Sequence, residues 1–176
     1  MHPSSNFSAA MRSNQAMTRL LSGFRLDDRF DPLLPFSRLL RPGLVKKQGG
    51  VFWRATLPKK LPKVGTRLVP DLTGLEATGN KIHIEDYASS GDTRTLLGHG
   101  LLLANCLCFM LSGVTSKRVR QIISLDKVAK LSEPNVCIHT FHLMRDNEQY
   151  LDDELDNYEQ PVLSLDSGRL TEVALA

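Results

Sequence analysis

The segment GLLLANCLCFML, Gly100 to Leu111, is the most apolar stretch of the chain. It falls well short of the roughly 20 apolar residues that a membrane-spanning helix needs. Asn105 interrupts it, and Gly98-His99-Gly100 precede it. The segment therefore reads as a buried core helix around which the rest of the domain is built. Asp92 or Thr93 can cap a helix that runs from about Thr93 to Leu111. Gly98 and Gly100 each weaken it by about 1 kcal/mol relative to Ala. A helix ordered only from Gly100 is the alternative, and Ser112-Gly113 ends either one.

C-terminal to this helix, Val114–Leu131 fits two periods. A strand into about Leu125, followed by a short helix over Asp126–Leu131, is the favoured reading. Val136–Met144 (VCIHTFHLM) is apolar on both alternating faces, which marks a central strand. Asp146–Asn157 is acidic and reads as a loop or a solvated helix. Val162–Leu165 and Leu170–Leu175 flank Asp166-Ser167-Gly168, a hairpin signal.

On the N-terminal side, Leu44–Lys47 and Val51–Arg54 flank the turn residues Gln48-Gly49-Gly50 and form a hairpin. Pro58, Pro62 and Pro70 break the following segment into an extended basic loop or edge. Leu75-Glu76-Ala77 and Ile82–Glu85, around Thr78-Gly79-Asn80, predict a second hairpin. The fold class is α+β: a short antiparallel sheet of about five to seven strands, packed on one main apolar helix, with a flexible basic N-terminal arm. Residues 1–42 form the arm and residues 43–176 a single α+β domain ending in an acidic segment.

Within the arm, Met17–Leu21 can start a short helix that Gly23 stops. Phe30, Leu33, Leu34, Phe36, Leu39 and Leu40 make an apolar strap. Pro32, Pro35 and Pro42 deny the strap one continuous helix. It packs on its own domain or docks in trans. The docking reading rests on Phe30, Leu33, Leu34 and Phe36.

Charge is distributed unevenly. Residues 1–67 carry 13 Lys/Arg and 3 Asp/Glu, a net of +10, whereas residues 146–176 carry 1 and 9, a net of −8. Such asymmetry is informative about partners rather than fold. The first 26 residues, rich in Ser, Asn, Ala and Met, also have the composition of an organellar transit peptide. Cys106, Cys108 and Cys137 give an odd count, and buried free thiols in an intracellular reducing compartment are expected.

Tests for chemistry give little. His83, His99, His139 and His142 do not form spaced Cys/His couples, so no metal site is expected. No phosphate loop or dinucleotide fingerprint is present, and no cofactor is expected. Gly113–Arg120 is similar to the turn and recognition-helix start of helix-turn-helix proteins. Residues 92–156 resemble the core of transglutaminase-like cysteine enzymes, on the passage Gly113-Val114 to Arg118-Val119 and on His139. That resemblance implies His139, with Asp153 or Asp156 as the acid, as catalytic candidates. It also implies a Cys at the start of the core helix, where this chain has Gly98-His99-Gly100. Cys137 is a further thiol candidate.

The favoured expectation is a non-enzymatic assembly or adaptor protein, soluble or peripheral to a membrane, with matrix-like architecture. It binds an anionic membrane or nucleic-acid phosphates and associates with itself or a protein partner. Lys46, Lys47, Lys59, Lys60, Lys63 and Arg67 would make the surface contact. The alternative is a cysteine-hydrolase-related effector without its nucleophile.

Overall fold

The computed structural model describes residues 10–25, 33–88, 91–126 and 135–166. Its fold is α+β, with a five-stranded antiparallel sheet, a two-stranded sheet and four α-helices. The elements are β1 (Ala10–Ser13), α1 (Gln15–Ser22), α2 (Leu33–Leu40), β2 (Leu44–Lys47), β3 (Gly50–Trp53), α3 (Leu72–Gly79), β4 (Ile82–His83), α4 (Thr93–Ser112), β5 (Val119–Asp126), β6 (Val136–Leu143) and β7 (Val162–Asp166). The large sheet has the order β1-β7-β5-β6-β4, and the small one pairs β2 with β3.

The apolar segment forms α4, capped by the Asp92 side chain on Thr95 N. Leu96, Leu97, Leu101, Ala104, Leu107 and Leu111 are buried at helical spacing against the sheet. The helix runs 20 residues, so by length and composition it could cross a membrane, yet much of it is packed as the core helix of this fold. Gly98 and Gly100 do not delay its start. At Gly100 a Cβ would meet Cys137 Sγ at 3.3 Å and Ile123 Cγ2 at 3.4 Å. The glycine thus permits close approach of α4 to β5 and β6.

In its described residues, 10–25 and 33–42, the expected arm packs on the domain. β1 pairs with β7, and Met17, Phe36 and Leu39 lie fully buried in the main core. Asn14 fastens this region: its side chain caps α1 at Met17 N, accepts from Val162 N, and donates to Tyr158 and Gln160 carbonyls. The strap forms α2 because Pro35 falls in the first turn, where a missing N–H costs nothing.

The second predicted hairpin is corrected. Residues 72–79 are helical, with Asp71 accepting from Gly74 N as N-cap. Thr78-Gly79-Asn80 ends that helix. Two buried side chains, Glu76 of α3 and Asn80 at its C-cap, then act as struts between strands. Glu76 accepts from Val51 N at 2.6 Å and Leu143 N at 3.0 Å. Asn80 accepts from Trp53 N and donates to Val51 O and Phe141 O. β3 and the upper edge of β6 are joined through side chains instead of a ladder.

The first hairpin forms as expected. Gln48 and Gly49 both take positive φ, 51° and 81°, the geometry of a tight hairpin turn. Lys117 and Arg118 lead directly into β5, the strand favoured for this segment, so the part of Gly113–Arg120 that is similar to a recognition-helix start is not helical. The second half of the C-terminal hairpin and most of the short helix expected after Leu125 lie outside the described residues, as does Phe30.

Candidate functional site

Residues 32–70 carry nine Lys/Arg and no Asp/Glu. After Trp53 the chain runs without helix or strand to the α3 cap. Leu61 and Val69 anchor this loop. Both are buried, in a small core with Phe52 and Leu75. Between the anchors the chain reverses at Gly65, whose φ is 87°. Gly65 N and Thr66 N both donate to Val69 O, at 2.9 and 3.1 Å, and Val69 N donates back to Thr66 O.

With Val69 turned inward, its neighbour Leu68 is turned out and is 90% exposed. Val64 is also exposed. Lys63 and Arg67 stand beside them on the same tip, and Lys59 and Lys60 precede it, all exposed. Lys47 Nζ donates to the Lys59 carbonyl at 3.2 Å and ties the loop to β2. Lys46 is exposed on the same strand. Among the described residues no carboxylate forms an ion pair with these six cations. Five of the six expected surface cations are therefore exposed and the sixth, Lys47, braces the loop. The apolar tip at Val64 and Leu68 was missed in the sequence. Its only signal is two isolated aliphatic residues each next to a basic one.

The partner-docking residues fare differently. Phe36 is fully buried, with its ring 5.2 Å from Tyr87 and 6.0 Å from His99. It cannot enter a partner while the fold is intact. Leu33 and Leu34 open α2.

The catalytic candidates do not assemble. His139 and Asp153 lie against opposite faces of the sheet. His139 is fully buried on the α4 side, where Nε2 bonds Gln121 Oε1 at 3.0 Å. Gln121 in turn donates to Ala104 O and Cys108 Sγ. Asp153 reaches Arg120, which lies opposite His142 on the other face. Burial lowers the His139 pKa to about 3 and pushes the Cys137 thiol well above its ordinary value. A thiol kept protonated is a poor nucleophile, and a fully enclosed imidazole meets no substrate. Among the described residues no three His, Cys, Asp or Glu side chains gather at metal-binding distance.

The acidic segment covers the sheet face opposite α4. Leu151 and Leu155 pack on Ile122 and Val162, and Asp153 meets Arg12 at 3.4 Å. The basic and acidic ends thus touch within one molecule at an exposed pair, a contact of small energy.

The structure defines an α+β protein with a basic, apolar-tipped loop. The chain belongs to the Uncharacterized protein PM0498 family, whose model matches residues 12–174. No curated protein and no solved structure matches it.

Proposed function

We propose that the protein is a non-enzymatic adaptor that attaches to anionic membrane surfaces through the loop between Trp53 and Asp71. The observation that carries this reading is Leu68, 90% exposed on a tip fixed from below by Leu61 and Val69 and flanked by Lys63 and Arg67. Each basic residue near an anionic bilayer contributes about 1 kcal/mol. Burying an exposed leucine in hydrocarbon contributes about 1.5–3 kcal/mol more. Nucleic-acid phosphates would satisfy the cations but offer an aliphatic tip nothing to enter, which favours the bilayer. Self-association through the strap does not enter the proposal, because Phe36 is consumed by the core.

Sedimentation with phosphatidylcholine vesicles, with and without phosphatidylserine, tests the proposal at low and high salt. Binding is expected only to the anionic vesicles and is weakened by salt. Leu68→Asp and the double variant Lys63→Glu/Arg67→Glu each lose it. Both keep the wild-type melting temperature, because the altered side chains are exposed. Absence of binding at low salt overturns the proposal. So does binding that Leu68→Asp leaves unchanged, or retention on nucleic acid alone.

A further inference from the structure

β2 pairs only with β3, so its outer edge carries no strand. The register fixes which backbone groups face outward. Val51 and Trp53 of β3 turn their N–H groups to Glu76 and Asn80, away from β2. Arg54 N donates across the hairpin to Gly43 O at 2.9 Å. Facing residues of an antiparallel pair alternate between bonded and non-bonded. Leu44 lies opposite Trp53 and Lys46 opposite Val51. Leu44 and Lys46 therefore point both N–H and C=O away from β3. Among the described residues no group hydrogen-bonds to these four. Elsewhere side chains finish such edges. Glu76 and Asn80 occupy the far side of β3. Glu85 accepts from Cys137 N at 3.1 Å and continues the β6 ladder where β4 ends. An open edge is a template for one more strand. The edge of β2 is also held rigidly, by the Gln48-Gly49 turn in front and the α3 struts behind, so binding has little left to order.

Charge decides what this edge accepts. Successive side chains of a strand point to opposite faces. Lys46 is exposed on one face of β2, and Lys47 on the other reaches the Lys59 carbonyl. Arg38 and Arg41, both exposed, stand just ahead of the strand. No Asp or Glu occurs between residues 32 and 70. A second copy paired edge to edge would set these cations against their own equivalents, and lysine on an edge guards against such self-pairing. An extended acidic segment instead meets a cation on either face. β1 is an edge strand too, but it lacks this concentration of charge.

We infer that the open edge of β2 binds an extended acidic peptide segment as a third strand. The contact does not use Val64 or Leu68, so it goes beyond membrane attachment and does not rest on it. Fluorescence anisotropy of the full chain with a capped, labelled peptide of about eight residues, alternating valine and glutamate, tests the inference at low salt and without vesicles. Saturable binding is expected, with the valine–lysine counterpart weaker by about tenfold or more. Main-chain pairing is read separately from charge. N-methylation of every second amide leaves one hydrogen-bonding edge of the peptide intact and should preserve binding, whereas methylation of every amide should abolish it. Lys46→Pro removes an outward N–H that the hairpin does not use, a change that edge strands tolerate. It should keep the melting temperature and lose about tenfold or more in affinity. Lys46→Gln keeps the N–H and should lose less. Leu68→Asp should bind the peptide as wild type, which separates this contact from vesicle attachment. No saturation, equal binding of the lysine peptide, binding of the fully methylated peptide, or a folded Lys46→Pro variant that binds as wild type would each overturn the inference. So would a dimer, seen by light scattering, that Lys46→Pro dissolves, since a second copy would then be the occupant.

Discussion

His139 is enclosed completely, and burial lowers its pKa from 6.5 to about 3. Below pH 6.5 the unfolded chain takes up a proton that the native state refuses. Stability is therefore full above pH 6.5 and falls as the pH drops toward 3, by up to about 1.4 kcal/mol per pH unit for this one group. His142 is shifted in the same direction, chiefly by burial. Denaturant melts between pH 7 and pH 4 should show this acid limb. His139→Leu should flatten it by one histidine's share, whatever it does to stability at pH 7. An unchanged slope would show that the imidazole is protonated in the native state. The sequence places His139 and His142 on opposite faces of one strand by parity alone, and the structure agrees. It could not show that Asp153 joins His142 rather than His139. That choice is made by the path of the covering segment, which Leu151 and Leu155 fix from far along the chain.

Among the elements, α3 departs most from its sequence reading. Thr78-Gly79-Asn80 carries the residues of a hairpin turn, and the same residues serve a helix end equally well. Asp71, four residues before Leu75, was the overlooked start signal. Nothing local could reveal that Glu76 and Asn80 would leave their own helix to serve two strands. Glu76 is fully buried and paired with Arg145 at 2.6 Å. Glu76→Ala strands two backbone N–H groups and a guanidinium in the interior. The expected loss is about 3–5 kcal/mol, read as a fall in the denaturation midpoint with the slope unchanged. A loss below 1 kcal/mol would mean that water replaces the carboxylate. α4 and the first hairpin were legible because each is specified within its own residues, by apolar spacing and by Gln48-Gly49. The basic loop was legible from composition. The outward turn of Leu68 was not, since a loop has no period from which to infer a face.

For the molecule as a whole, residues 10–25 belong to the fold. Deleting residues 1–25 removes β1 from β7, Met17 from the main core and all four hydrogen bonds of the Asn14 side chain. Loss of a fully buried methionine alone costs about 2–5 kcal/mol, against a total of about 5–15 kcal/mol for a typical domain. The shortened chain is expected to lose cooperative unfolding and to aggregate, which calorimetry and light scattering would report. A fragment melting at the full-length temperature would restore the reading of residues 1–25 as a detachable arm. The electrostatic asymmetry of the sequence is real, and among the described residues its two ends form one exposed ion pair, Arg12 with Asp153. What it leaves exposed is a cationic projection on one side of a self-contained body.

The pairing of Ala10–Ser13 with Val162–Asp166 also sets a schedule. During translation Ala10–Ser13 leaves the ribosome long before its partner Val162–Asp166 exists. Val162–Asp166 must slide between it and Val119–Asp126 to close the sheet. Until then Met11 and Met17 have no finished interior to enter, so assembly completes late and the nascent chain depends on being kept from clumping meanwhile.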